Sequence, residues 1–250
     1  MSNEVSEERR RRGGRTARTA SGLSAGAVLL LGGSGPLHQL GLLTLGTAYV
    51  GVWLAVGLGC VSACVAAYAL GITSRQPFRS PFALAGLALA LSFVAITVPV
   101  REWRRVHAAA PLHDVSTDLQ RPPTFKTLSD VQPAASQPMP RPKQVDALQV
   151  AAYPDIKPIV LPVPTDMAFE EVLETLADLD WAVADGSEED GIVETTVRSA
   201  WFGFKDDIVI RLTAMEGQTR VDVRAVTRDG SNDGGRNADH VREFLAELQR

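Results

Sequence analysis

Between Glu8 and Glu102 the chain carries no acidic residue, and from Thr19 to Thr73 it carries no charged residue of either sign. A helix needs about 20 mostly apolar residues to cross hydrocarbon, so this uncharged stretch is long enough for two crossings. Ser80 to Val100 is again charge-free and holds a third, with Pro99 near its end. Residues 47–71, TAYVGVWLAVGLGCVSACVAAYALG, form a strong span with Tyr49 and Trp53 near one end, where aromatic belts sit. Upstream, SGLSAGAVLLL is weaker because GGSGPLHQLG follows at once. Without a small-x-small cleavage site it reads as a retained span rather than a signal peptide. Within residues 47–71, Ala55, Gly59 and Ala63 recur every four residues, a spacing that lets helices approach closely and that suits a dimer seam.

Three spans place the Arg9–Arg12 cluster and the Arg75/Arg79 loop in the cytoplasm and the C-terminal half outside. Two spans would leave both termini inside, and Arg101, Arg104 and Arg105 pull in that direction. The expectation adopted is three spans in the plasma (inner) membrane, with the C-terminal domain extracytoplasmic.

The formal net charge of −4 averages a basic N-terminal part and an acidic C-terminal half. An acidic folded half argues against nucleic acid as a partner, because a phosphate backbone needs a basic face. Cys60 and Cys64 lie one helical turn apart in the apolar run. They read as small apolar fillers, since zinc needs further ligands that hydrocarbon does not offer.

After REWRR the composition changes. Residues 101–155 read as a proline-rich tether, poor in helix signal, ahead of an α+β domain at 156–250. Together with a basic tail at 1–20 and the membrane region at 21–100, this completes the expected organisation. IKPIVLPV suits an edge strand, and Thr165 is expected to cap a helix carrying Phe169, Val172, Leu173 and Leu176 inward. WAVADG, GIVETTVRS, DDIVIRLTA and RVDVRAVTR read as strands, with MEGQT as a hairpin turn. Asn237 is expected to cap a last helix that turns Val241, Phe244, Leu245 and Leu248 inward. The order βαββββα implies an antiparallel sheet with helices on one face.

Strand alternation puts Val193, Thr195, Val197, Ile208, Ile210, Leu212, Val221, Val223 and Ala225 on the helix-covered face. Glu194, Arg198, Asp207, Arg211, Asp222, Arg224 and Arg228 fall on the other, expected to be wet. Two readings of that ionic face stand side by side. It is either a self-complementary charge lattice, or a clamp in which Arg198, Arg211, Arg224 and Arg228 hold a carboxylate or phosphate. The Trp201-Phe202-Gly203-Phe204 corner is expected to seal an end of the core. His113 with Asp114 and Asp118 could form a metal or acid–base group. Asp229, Ser231, Asp233 and Gly234 copy half of a calcium loop, although His240 stands where its closing glutamate belongs.

Ordered blocks, PLHDVSTD with PPTF, YPDIKPI, WFGFKDDIVIR and VDVRAVTRDGSNDGGRNADHVREFL, resemble the membrane-protein family known as domain of unknown function 1499. The resemblance covers residues 111–250. It places His113, Asp114, Asp118, Phe204, Asp206, Asp207, Arg211, Asp222, Arg224, Arg228, Asp233, Gly235 and Asn237 on that family's motif positions. Thr227, Asp229 and Gly234 depart from its pattern. The family implies no activity and no cofactor. The candidate ligand-binding set is therefore His113, Asp114, Asp118, Asp207, Arg211, Arg224, Arg228, Asp233 and Asn237. The expected function is a membrane-anchored binding or accessory module, with a hydrolase as the alternative. The partners expected are the lipid bilayer and either a small anionic ligand or another membrane protein.

Overall fold

A long apolar segment can satisfy its backbone internally only as a helix, and the N-terminal part takes that form. The computed structural model describes residues 2–74, 80–131, 142–228 and 232–250, so Arg75, Arg79, Asp229, Ser231 and the proline-bearing stretch 132–141 lie outside the described residues. Three helices, α1 (Ser2–Gln39), α2 (Leu45–Thr73) and α3 (Ser80–Ala108), are long and apolar enough to cross a bilayer. The GGSGPLHQ stretch that weakened the first span stays helical. Pro36 falls in the last turns of α1, where its missing N–H removes a single helix bond.

Small residues recur through the three helices with spacings that alternate four and three, the 3.5-residue period of a packed seam. In α1 the buried positions are Gly13, Ala17, Ala20, Ser24, Ala27, Leu31 and Ser34, with Gly35 buried beside the last. In α2 they are Ala48, Val52, Ala55, Gly59, Ser62, Ala66 and Ala69. In α3 they are Ala85, Ala88, Ser92, Ala95 and Pro99. Lipid gives no hydrophobic drive between helices, so close backbone approach and hydrogen bonds must hold them together. A Cβ on Gly59 would lie 3.2 Å from Ile96 Cγ1, and one on Gly13 only 2.7 Å from Thr73 Cγ2. Ser62 Oγ donates to the Ala20 carbonyl at 2.9 Å. Ala55 and Gly59 thus join a seam within the chain, but Ala63 does not, because the 3.5 period steps to Ser62 and Ala66.

By their contacts, Trp201–Gly203 group with this helical unit, and residues 105–200 and 204–250 form the second unit. The Phe202 ring stacks 5.3 Å from that of Tyr49, and Gln39 donates to the Trp201 carbonyl at 2.7 Å. The expected seal over the sheet core is therefore corrected: only Phe204 stays in the second unit. These amphipathic rings find aromatic and amide partners among the helices instead.

The second unit contains β1 (Asp114–Ser116), a 3₁₀ turn (Thr127–Val131), α4 (Lys143–Ala152), β2 (Ile159–Leu161) and α5 (Thr165–Asp178). It continues with β3 (Val183–Ser187), β4 (Ile192–Arg198), β5 (Lys205–Met215), β6 (Gln218–Thr227) and α6 (Arg236–Leu248). From β2 onward the order is the expected βαββββα. All pairings are antiparallel. β6, β5, β4 and β3 lie side by side, while β1 and β2 share the outer edge of β6 end to end. Gly217 takes φ +70 in the tight β5–β6 turn, a conformation that favours glycine.

The covered face follows the alternation. Val193, Ile208, Ile210, Leu212, Val221, Val223 and Ala225 pack with Val172 and Leu176 of α5 and with Val241, Phe244 and Leu248 of α6. Each fully buried aliphatic contributes about 1.5–3 kcal/mol relative to exposure.

The reverse face departs from expectation. Glu194, Asp207, Val209, Asp222, Arg224 and Val226 are buried rather than wet. The chain from β1 to the 3₁₀ turn, expected to be tether, lies across them as a strap. Pro122 and Pro123 are themselves buried there. α4 secures the strap's start, since the Gln149 amide accepts from Ser116 N at 3.1 Å and donates to Ser116 O at 2.7 Å. Two caps also differ. α5 is preceded by Pro164 with no side-chain cap, leaving Thr165 as its first residue. α6 follows Gly235 at φ 85, and Asp233 rather than Asn237 accepts the free N–H groups.

Gly59→Leu is expected to destabilise the helical unit by about 1–3 kcal/mol through overpacking. Gly57→Leu, which meets nothing within 4 Å, is expected to be neutral. Thermal unfolding of the detergent-solubilised protein checks the difference.

Candidate functional site

Guanidinium groups inside a protein need charge partners and hydrogen-bond acceptors together, and the strap supplies both. Arg224 of β6 is 3% exposed. Its Nε and Nη2 donate to the two oxygens of Asp114 at 3.0 and 2.8 Å, and its Nη1 donates to the Pro123 carbonyl at 3.1 Å. The Phe125 ring lies 5.8 Å from the guanidinium carbon. Prolines favour this arrangement because extended proline-bearing backbone presents carbonyls with no competing N–H.

Alongside, Arg211 Nη2 bridges Asp222 at 2.8 Å and Asp118 at 3.1 Å, while its Nη1 donates to the Arg121 carbonyl. Arg220 Nη2 contacts the same two acids at 2.9 and 3.2 Å. Asp118 also accepts the Gln120 and Arg121 N–H groups at 2.9 Å each. Burial works to raise its pKa, but those two bonds and the Arg220 and Arg211 charges outweigh it and lower the carboxyl. Asp207 is clasped by Arg228 Nε and Nη2 at 2.5 and 2.7 Å, and accepts Thr196 Oγ1 at 2.6 Å. Glu194 accepts the Lys126 and Leu128 backbone N–H groups, tying the far end of the strap to β4.

A second polar cluster sits where α6 begins. Asp206 accepts Thr227 Oγ1, Arg236 Nε and His240 Nε2 at 2.5, 2.9 and 3.3 Å. Burial alone would raise its pKa, yet the bonds from His240 and Arg236, the Arg236 charge and Thr227 hold it down at about 2. Asp233 is pushed up, chiefly by burial and also by the Asp206 charge, although it accepts the Gly235 and Asn237 N–H groups. Asn237 Nδ2 donates to the His113 carbonyl and to Thr227 Oγ1 at 3.0 and 3.1 Å. Its Oδ1, the Tyr153 hydroxyl and His240 Nδ1 are buried with no hydrogen-bond partner among the described residues.

The fold therefore brings six of the nine sequence candidates to the reverse face, sorted into separate ion-pair groups: Asp114 with Arg224, Asp118 with Arg211, and Asp207 with Arg228. His113, Asp233 and Asn237 belong to the α6 end, where His113 contributes its backbone carbonyl. Of His113, Asp114 and Asp118, strand pairing sends Asp114 to Arg224 and the following turn sends Asp118 to Arg211. Among the described residues no three His, Cys, Asp or Glu side chains are grouped to hold a metal ion. Of the calcium-loop pattern, Asp229 and Ser231 lie outside the described residues, and Asp233 spends both oxygens on the helix cap. Arg198 stands exposed.

Asp222, Arg220, Glu194, Arg236 and His240 were not among the candidates. Alternation did carry a signal for Arg220, which shares the parity of Asp222 and Arg224. The α6 residues had none, because only the approach of α6 to β5 brings them to Asp206.

Three membrane-length helices precede an α+β domain whose sheet is helix-covered on one face and strapped over a buried ionic network on the other. The chain belongs to the family described as a protein of unknown function (DUF1499), whose profile matches residues 114–248. That match opens at Asp114, the first residue of β1, so it includes the strap with the sheet. No curated protein matches the chain.

Arg224→Ala is expected to cost about 3–5 kcal/mol by leaving Asp114 buried and unpaired. Adding Asp114→Leu should recover much of that, as read by denaturant unfolding. For acid stability, a depressed carboxyl stabilises the fold above its unfolded pKa and loses that contribution as pH falls. Between about pH 4 and pH 2, Asp206 is expected to lose roughly 2 kcal/mol. Asp206→Asn should flatten this part of the pH profile of hydrogen exchange in β5 and β6.

Proposed function

We propose that the chain is a membrane-anchored binding or accessory module of the cell envelope, with its α+β domain on the extracytoplasmic side of the plasma membrane. The observation that carries this reading is the mutual engagement of the candidate charges. Asp114 and Asp207 are each clasped by an arginine of their own, so neither is free to act as base or nucleophile. The alternative hydrolase would need His113, Asp114, Asp207 and Arg211 to converge, and their bonds lead to different partners. Binding capacity remains at the rim of the network. There the Arg211 and Arg220 side chains are 26% and 36% exposed. A small anionic group matches that chemistry. Three candidate crossings and the basic start of α1, which favours the cytoplasm, support this sidedness.

A reporter fused after Arg250 that works only outside the cytoplasm is expected to be active, and a cytoplasm-only reporter silent; the reverse pattern would overturn the topology. In detergent, inorganic phosphate or short carboxylates are expected to raise the melting temperature of the full chain, and Arg220→Gln should weaken that effect. Hydrolysis of generic esters and phosphates should stay at background with or without added metals. Metal-dependent turnover abolished by His113→Ala would establish the enzyme reading instead.

A further inference from the structure

The exposed stripe of α1 changes character partway along. Opposite the buried seam, the outward positions run Arg11, Arg15, Arg18, Gly22, Ala25, Leu29 and Gly32, with the same alternating four-and-three spacing. Leu29 is 75% exposed, as a side chain facing acyl chains should be. The stripe is therefore continuous, apolar along Gly22–Gly32 and cationic for two turns before it. Three guanidiniums spread over about 10 Å of helix point away from α2, while Gly13, Ala17 and Ala20 take the seam. Glu7 and Glu8 lie at the outer end, and no acidic residue follows until Glu102. Arg15 and Arg18 are thus beyond the reach of a local acid.

We infer that Arg11, Arg15 and Arg18 form a binding surface for the phosphates of anionic phospholipids in the leaflet that α1 enters first. The occupant follows from position and charge. A stripe that faces acyl chains at Leu29 meets the phosphate layer about where it turns basic, near Thr19. Guanidinium pairs with phosphate through two parallel hydrogen bonds, and a basic cluster beside a span attracts anionic lipid. The flexible reach of arginine lets three neighbouring side chains collect headgroups around one helix while α2 and α3 stay packed on its other side. The inference rests on α1 crossing the bilayer, and on nothing proposed for the α+β domain.

The test uses the full chain reconstituted into nanodiscs of equal parts phosphatidylglycerol and phosphatidylcholine, with bound lipid read by native mass spectrometry. Wild-type protein is expected to retain phosphatidylglycerol in excess. Each arginine replaced by glutamine should lower the relative association constant about fivefold at low salt. The triple variant Arg11→Gln, Arg15→Gln, Arg18→Gln should retain the two lipids equally. The corresponding triple lysine variant keeps the charge and is expected to keep the preference. Equal retention by wild-type protein, preference surviving in the triple glutamine variant, or complete loss in the lysine variant would each overturn the inference. A membrane-impermeant reagent reaching an N-terminal tag and a tag inserted between Gly41 and Thr44 from the same side would instead overturn the crossing of α1 itself, which separates the two failures.

Discussion

The buried guanidinium of Arg224 is the constraint around which the second unit is organised. Ionised groups away from water are tolerated only when paired and hydrogen-bonded, and this one draws partners from outside β5 and β6. Its carboxylate comes from Asp114, 110 residues earlier in the chain, and its remaining acceptor from Pro123. Meeting that demand draws β1 onto the edge of β6, lays the strap over the sheet and brings Asp118 and Phe125 into register. Asp118 then meets Arg211 and Arg220, which already share Asp222. A single buried charge thus makes a segment that looks like tether into part of the domain, consistent with a family match that begins at Asp114.

Such a network contributes less to net stability than its number of bonds suggests, because desolvation cancels much of the Coulomb gain. What it imposes is register. A one-residue slip of β5 would move Asp207 and Arg211, and one of β6 would move Asp222 and Arg224, to the apolar face, which helices α5 and α6 cover with Val172, Phe244 and Leu248. The hydrophobic face and the ionic face therefore enforce the same alignment from opposite sides. The helical unit solves its own problem differently. With no water to expel, α1, α2 and α3 rely on small residues at a 3.5-residue period and on hydroxyl-to-carbonyl bonds such as Ser62 to Ala20. The same periodicity leaves the opposite stripe of α1 free to face its surroundings.

Much of this was legible in the chain itself. Uncharged runs of lipid-crossing length announced the helices, and period-two alternation sorted Ile208, Ile210 and Leu212 from Asp207 and Arg211. Of the candidate site, the arginines and acids of β5 and β6 were visible as a charged face, and Asp114 and Asp118 as conspicuous acids in an approach segment. Their pairing was not visible. Asp114 to Arg224 and Asp118 to Arg211 depend on a strap whose prolines read equally well as a spacer. Asp206 offered no hint of Arg236 or His240, since that cluster forms only where α6 crosses the end of β5.

The sequence by itself determined the local periods: where the chain must be helical to enter lipid, where it must be extended, and which side of each strand is apolar. Those follow from side-chain spacing along a few residues, which chemistry reads without knowing the rest of the fold. Only the tertiary structure decided that the centre of the ionic face is buried, that its acids are paired with its arginines, and that the small-residue seam is closed within the chain. These depend on partners scores of residues apart, whose meeting is set by loop closure and burial rather than by any neighbouring residue.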